Sequence, residues 1–330
     1  MMAENFSFDV LSIDGEKETG HIVTNIRKAL GESLKRRGLV VAVSGGIDSS
    51  VTAALSARAV GPNKVLCLQM PERHSADETE DLSALVADTF GIETVYENIS
   101  GILESVGFYH RYGDAVRSVI PSYGDGWKSK IVIPNVMESE GYNIFSLVAQ
   151  NPDGEIVKER LPLKAYLAIV AATNFKQRTR KMLEYYHADR LNYAVTGTPN
   201  RLEYDQGFFV KLGDGAADIK PIAHLYKSQV YQLAEYLGVP EKIRNRPPTT
   251  DTYSLAQGQD EFYFSLPYDK MDLCLYGKNN NVPPATVGEV IGLTGEQVER
   301  VYKDIETKRN TTKYLQMAPL LVGNVPEIRH

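Results

Sequence analysis

The stretch "LVVAVSGGIDSS", Leu39–Ser50, decides the fold. Leu39 to Val43 form an unbroken apolar run, the pattern of a strand buried on both faces of a parallel sheet. Two glycines follow, then Asp48 between hydroxyl-bearing residues, then "VTAALSARAVG", a helix-forming segment closed by Gly61-Pro62. A strand that turns through glycines into a helix is an anion site. The bare backbone comes close to oxygen atoms, and the first N–H groups of the helix favour negative charge. Ser44, Gly45, Gly46, Ile47, Ser49 and Ser50 are the candidate phosphate contacts, with the three serines adding hydroxyl donors.

Two common nucleotide loops do not fit. A Walker loop needs a lysine after its second glycine, and none follows Gly46. A dinucleotide fingerprint needs three glycines in Gly-x-Gly spacing. Asp48 adds a constraint of its own. An acid in a phosphate loop repels its ligand unless a cation lies between them, so Asp48 points to Mg²⁺.

Outward from this loop the chain alternates. "HIVTNIRKALGESLKRRG" puts Ile22, Ile26, Leu30 and Leu34 on one helical face and is expected to stop at Gly38. "KVLCLQM", "IETVYENI" and "YAVTG" read as further strands. "SADETEDLSALVADTFG", "LKAYLAIVAATNFKQRTRKMLEYYHADRLN" and "SQVYQLAEYLG" read as helices, and Thr294 to Gln297 forms a capping box for another. Strands alternating with helices predict an α/β fold with a doubly wound, mostly parallel sheet. From about residue 101 to 162 the rhythm breaks into glycines, prolines and an Asn-Pro-Asp-Gly turn, the marks of a hairpin-bearing insertion or lid. The expected organisation is one domain over 1–330, with that insertion and a C-terminal helical segment at about 283–330.

Bulk properties narrow the function. Hydrophobic residues are 43% and charged residues 24% of 330, ordinary for a globular protein. A formal net charge of −6 offers no global field for nucleic acid. The two cysteines, Cys67 and Cys274, lie among apolar neighbours and fit a reducing compartment. No apolar run reaches membrane-spanning length, and the N-terminus lacks a secretory pattern, so the cytoplasm is the expected location with no membrane partner.

"SGGIDSS" resembles the pyrophosphate-binding loop of the N-type ATP pyrophosphatases, and the second half of the chain selects among them. Asn174–Pro240 is similar to the NAD synthetase family: Arg178 and Arg180 in an Arg-x-Arg step, Gly197-Thr198 with Glu203 five residues on, "GFFVKLGDGAAD", Pro221-Ile222 and Lys227, in order and spacing. The resemblance runs from about residue 20 to 275 and more weakly through the C-terminal helix. It implies an adenine nucleotide alpha hydrolase-like fold and ATP-dependent amidation of deamido-NAD by ammonia. It also implies roles. Asp48 and Glu203 would hold Mg²⁺. Thr198, Lys227 and Thr249 would contact ATP. Arg180, Lys211, Asp218 and Lys308 would bind deamido-NAD. Asp48, Glu203 and Lys227 are the candidate catalytic set. The family is typically a homodimer.

Departures are visible. Pro199 stands where many members have glycine and removes a backbone donor. Thr307 stands where many have histidine. Only about 38 residues precede the first strand, too few for the amidohydrolase-like domain of glutamine-dependent members. Free ammonia, or ammonia from a separate glutaminase, is therefore the expected nitrogen source. The alternative reading is another ligase of the same superfamily acting on a different carboxylate.

Overall fold

A computed structural model describes residues 6–75, 77–133, 145–247, 253–255, 258, 263–264, 266–323 and 325–327. Its centre is a parallel sheet of β1 (Leu39–Ala42), β2 (Val65–Gln69), β3 (Glu93–Tyr96) and the later strand β7 (Ala194–Thr196), in the order β3-β2-β1-β7. Leu39 pairs with Val65 on one side and with Ala194 on the other. Side chains alternate across this sheet. Leu39, Val41 and Cys67 enter one core with Ile26 of α1 (Gly15–Lys28), Val51 and Leu55 of α2 (Ile47–Val60), Val86 of α3 (Asp77–Phe90) and Leu233 of α8 (Lys227–Leu237). Val40, Leu66 and Val195 enter the opposite core with Leu103 of α4 (Ser100–Ser105), Phe108 of α5 (Phe108–Arg117) and Ile169 of α6 (Leu163–Leu191). Both faces are covered, which is why the strands read as continuous apolar runs.

The strand order carries the functional consequence. From β1 the chain moves outward through β2 and β3, then returns to β1's other edge as β7. A crevice opens at the carboxyl ends of β1 and β7, where winding reverses, and such switch points bind ligands in open α/β sheets. The glycine loop leaves β1 into this crevice, and Gly197–Asn200 leaves β7 into it.

Two expectations need correction. The first helix does not run to Gly38. After α1 the chain takes one wider π turn, Ala29–Leu34, and ends on Lys35 in the left-handed region at φ 53°, with its N–H bonded to Leu30 O. Gly38 serves a close approach instead: a Cβ there would lie 2.3 Å from Lys64 O. Second, the 101–162 insertion carries the expected hairpins, but more of it is packed core than an overhanging lid implies. Its first part is α4 and α5, packed in the core. The rest is an antiparallel sheet of β4 (Lys128–Val132), β5 (Ser146–Gln150) and β6 (Ile156–Arg160), whose Ile131, Leu147 and Ala149 are buried in the same core. The Asn-Pro-Asp-Gly turn joins β5 to β6, with Gly154 at φ 90° and Asn151 Oδ1 accepting from Glu155 N at 2.8 Å. Residues 134–144 lie outside the described residues.

A third cluster joins α7 (Arg201–Gln206), α10 (Tyr268–Asn279), α11 (Pro284–Ile291) and α12 (Gly295–Gln316) through Leu202, Met271, Leu275, Val287 and Val301. Short α9 (Glu241–Arg244) follows α8. The capping box at the start of α12 forms as expected, with Thr294 Oγ1 accepting from Gln297 N at 3.2 Å. Among the described residues no helix is long and apolar enough to cross a membrane.

Candidate active site

The crevice is a cavity of about 1020 Å³, at the upper end of small-molecule sites. Its floor is the glycine loop. Gly45 takes φ +68°, and a Cβ on it would meet Leu82 Cβ at 2.5 Å, so the turn requires glycine there. Gly46 begins α2 with no side-chain cap, which leaves the first N–H groups of that helix directed at the cavity. Ser44 and Ser49 line the floor, and Ser49 Oγ accepts from Ser44 N at 3.3 Å. Ile47 is 5% exposed and offers the cavity backbone rather than side chain. Ser50 differs from expectation: its hydroxyl donates to Gly46 O at 2.8 Å and it is fully buried, so it locks the turn instead of facing the cavity.

Three charged groups from three elements meet above the loop. Asp48 is the second residue of α2, Lys227 the first of α8, and Glu203 lies in the first turn of α7. Lys227 Nζ is ion-paired with Asp48 Oδ2 and is only 2% exposed. Burial alone would lower the Lys227 pKa, but the charges of Asp48 and Glu203 outweigh it and raise it, so the ammonium stays charged. Glu203 goes the other way. Burial, together with the charge of Asp48, lifts its carboxyl to about 8.

Asn200 joins the two acids. Its Nδ2 donates to Asp48 Oδ1 at 3.2 Å, its Oδ1 accepts from Glu203 N at 3.2 Å, and its own N–H donates to Glu203 Oε2 at 3.1 Å. Glu203 is thus both a first-turn residue of α7 and a neighbour of Asp48.

The donor chemistry suits a hard divalent ion. Two carboxylates share a site, and burial together with the charge of Asp48 raises the pKa of Glu203, a conflict that a cation relieves. Among the described residues no cluster of three or more His, Cys, Asp or Glu could hold a metal alone. Mg²⁺ is commonly held by one or two carboxylates and completed by substrate phosphates.

The remaining predicted positions divide. Thr198, Arg180 and Lys211 line the cavity. Arg180 Nε donates to Met70 O at 3.1 Å, and Lys211 Nζ donates to Tyr314 O at 2.8 Å at the end of α12. Asp218 lies outside the lining. Its Oδ2 accepts from Val195 N at 2.7 Å, continuing the bonding at the edge of β7. Lys308 is also away from the lining, paired with Asp304 at 2.6 Å and donating to Tyr263 O at 2.5 Å. Thr249 lies outside the described residues, as does most of "PPTTDTYSLAQGQDE".

Sequence reasoning missed the polar wall of α6. Lys176 Nζ donates to Glu72 Oε1 at 2.6 Å with both side chains almost fully enclosed, and Tyr109 OH donates to Glu72 Oε2 at 3.0 Å. Burial opposes the Glu72 charge, but Lys176 outweighs it and holds the carboxyl below its usual pKa. Lys181 and Glu184 form a second buried pair at 2.6 Å. The signal was present. The buried apolar positions Ala165, Ile169 and Ala172 continue at helical spacing into Lys176 and Thr179, where a solvated face would have shifted the stripe.

A glycine-floored loop at a sheet switch point, faced by an acid pair and a buried lysine, defines an α/β protein with a candidate anion-binding site. The NAD synthase family model matches residues 19–121 and 127–314, and the chain belongs to that family. It is 60% identical over 323 residues to the NH(3)-dependent NAD(+) synthetase of Rhizobium meliloti (strain 1021), covering 98% of this chain and 96% of the relative. Two solved structures share the fold. The NMN synthetase from Francisella tularensis superposes with a TM-score of 0.63 at 21% identity, covering 94% of this chain and 99% of that one. The NH3-dependent NAD synthetase from Campylobacter jejuni superposes with a TM-score of 0.61 at 21% identity, covering 94% and 100%.

Proposed function

We propose that the protein amidates deamido-NAD to NAD, using ATP to activate the nicotinate carboxylate and ammonia as the nucleophile. The observation that carries this reading is the Asp48–Lys227–Glu203 cluster set over the glycine loop.

A free carboxylate resists attack because its charge repels nucleophiles and its oxygen leaves poorly. In the first step a carboxylate oxygen attacks the α-phosphorus of ATP. The bond between the α-phosphorus and the bridging oxygen breaks, and pyrophosphate leaves with that electron pair. In the second step ammonia attacks the acyl carbon, a proton is lost, and AMP leaves with the acyl oxygen.

The protein's part is placement and electrostatics. The first-turn N–H groups of α2, with Ser44 and Ser49, receive the departing diphosphate. Lys227 stays charged and offsets the negative charge that builds there. Asp48 and Glu203 would hold Mg²⁺, which when bound neutralises the triphosphate and polarises it. Thr198 and Thr249 are assigned to ATP. Arg180 and Lys211, which line the cavity, suit the anionic groups of the dinucleotide, whereas Asp218 and Lys308, outside the lining and already bonded to Val195 N and Asp304, take no part in this reading. Lys128 and Phe145 of the insertion reach the cavity and would help keep water from the acyl-adenylate.

A homodimer is part of this reading. α6 exposes two apolar pairs, Leu163 with Leu167 near its start and Met182 with Tyr186 toward its end, and exposed apolar surface of this kind suits a second copy. Light scattering on the wild type and on Leu167→Glu tests it, with a dimer expected for the first and a monomer for the second.

The deciding assay supplies purified protein with ATP, Mg²⁺, ammonium and deamido-NAD, and reads NAD and AMP. Equal amounts of the two are expected. AMP release with nicotinate mononucleotide or another acid, and none with deamido-NAD, would favour the different-carboxylate alternative. Replacing ammonium by glutamine, with and without an added glutaminase, identifies the nitrogen donor.

A further inference from the structure

Asp272 is a buried acid with no place in the chemistry above. It sits in α10 inside the apolar run Met271, Leu273, Cys274 and Leu275, and is 0% exposed. A carboxylate is seldom tolerated there without full hydrogen bonding. Its partners all lie at the start of α8. Oδ1 accepts from Lys227 N at 3.2 Å, while Oδ2 accepts from Ser228 N at 2.6 Å and from Ser228 Oγ at 2.6 Å.

These are the first two N–H groups of the helix, which have no intrahelical acceptor. Tyr226 at the N-cap engages Gln229 further along and supplies no side-chain cap to them. Asp272 thus caps α8 from 45 residues away, in the position where helix dipole and charge-assisted bonds both favour an anion. The residue it grips by the backbone is Lys227, whose ammonium reaches Asp48 over the glycine loop.

We infer that Asp272 is a positioning residue for Lys227: it fixes the backbone from which the buried ammonium is aimed at the leaving diphosphate, and so makes the C-terminal helices part of the active site. This rests on the role proposed for Lys227. A lysine side chain has four rotatable carbons, and a buried one is aimed by its stem. With the first residue of α8 held by a carboxylate and the ammonium held by Asp48, the chain between them has one enclosed path. An alanine at 272 would leave two buried N–H groups without acceptors and free the first turn to fray.

A double-mutant cycle tests this. Asp272→Asn, Lys227→Gln and the double variant are compared by kcat and ATP KM, with single-turnover AMP formation for the slowest. Asp272→Asn is expected to lower kcat roughly 10- to 100-fold with ATP KM changed about 3-fold or less, as a small misplacement of a catalytic group does. In the Lys227→Gln background the same change should cost little further, because groups acting as a unit are non-additive. A full multiplicative loss in the double variant would mean that Asp272 is only a structural cap, and would overturn the inference. Should Asp272→Asn not fold, Ser228→Ala removes one of the three bonds and enters the same cycle, with a smaller drop in kcat that again should vanish in the Lys227→Gln background. Full activity in Lys227→Gln alone would overturn the reading of Lys227 and this inference with it. Loss of activity there, with additive Asp272→Asn, removes the inference alone.

Discussion

Asn200 and Asp48, 152 residues apart, are joined by a hydrogen bond of 3.2 Å from Asn200 Nδ2 to Asp48 Oδ1, and the amide oxygen of the same Asn200 side chain caps the helix that carries Glu203. One side chain therefore sets the separation of the two acids assigned to the divalent ion. Asn200→Ala removes an N-cap worth about 1 kcal/mol and frees both carboxylates. The expected outcome is a modest fall in melting temperature and a larger rise, about tenfold or more, in the Mg²⁺ concentration that gives half-maximal rate, in line with losses of 10- to 100-fold for ligand-orienting partners. A Mg²⁺ titration of the variant measures it.

Gly45 and Gly46 are adjacent but fail differently. Gly45→Ala places a Cβ 2.5 Å from Leu82 Cβ at a positive φ, so the loop cannot keep its shape. Loss of both stability and ATP binding is expected. Gly46→Ala meets only Ser44 Oγ, at 3.3 Å, with φ −84°. That variant should fold near normally and lose ATP affinity, because the added methyl sits on the phosphate cradle. Thermal denaturation paired with nucleotide titration separates the two.

Lys227→Met removes the cation that, among the described residues, pairs with Asp48. A drop in kcat of about 10²- to 10³-fold is expected, the usual scale for a group that stabilises developing charge. Single-turnover AMP formation should carry the loss, with later ammonia attack on preformed adenylate affected less.

Folding raises the carboxyl pKa of Glu203 from 4.5 to about 8, chiefly by burial and then by Asp48, and that of Asp272 from 3.8 to about 7 by burial. Both groups bind protons more readily in the folded state. Their contribution to stability is complete below the unfolded values and is lost as pH rises through about 7 to 8. Metal-free protein in chelator should therefore lose melting temperature between pH 5 and pH 8.5, and Glu203→Gln should flatten the upper part of that decline. A profile that rises over this range would contradict it.

The same shift predicts proton release on loading. At pH 7 Glu203 is largely protonated in the free protein, and a divalent ion requires the carboxylate. Calorimetry of Mg²⁺–ATP binding in buffers of different ionisation enthalpy should show up to about one proton released at pH 7, falling toward pH 9. Glu203→Gln should release none from this site.

The sequence by itself determined the architecture around the loop. A short apolar run closed by glycines reads as a strand covered on both faces, and glycines before a helix start leave its N–H groups open to an anion, so "LVVAVSGGIDSS" was readable as a strand, a cradle and a helix N-terminus. The ordered positions from Arg178 to Lys227 were equally legible because each residue type and spacing is local to the chain. The tertiary structure decided which side chains share a volume. Ser50 turned inward to lock the turn, Asp218 completed a strand edge, and Lys308 was already paired, all outcomes of packing that no spacing encodes. It also supplied Asn200 between the two acids, the buried Lys176–Glu72 pair, and Asp272 behind Lys227. These join residues 152, 104 and 45 positions apart, and a charged residue reads alike on a solvated or an enclosed face until the neighbouring element is in place.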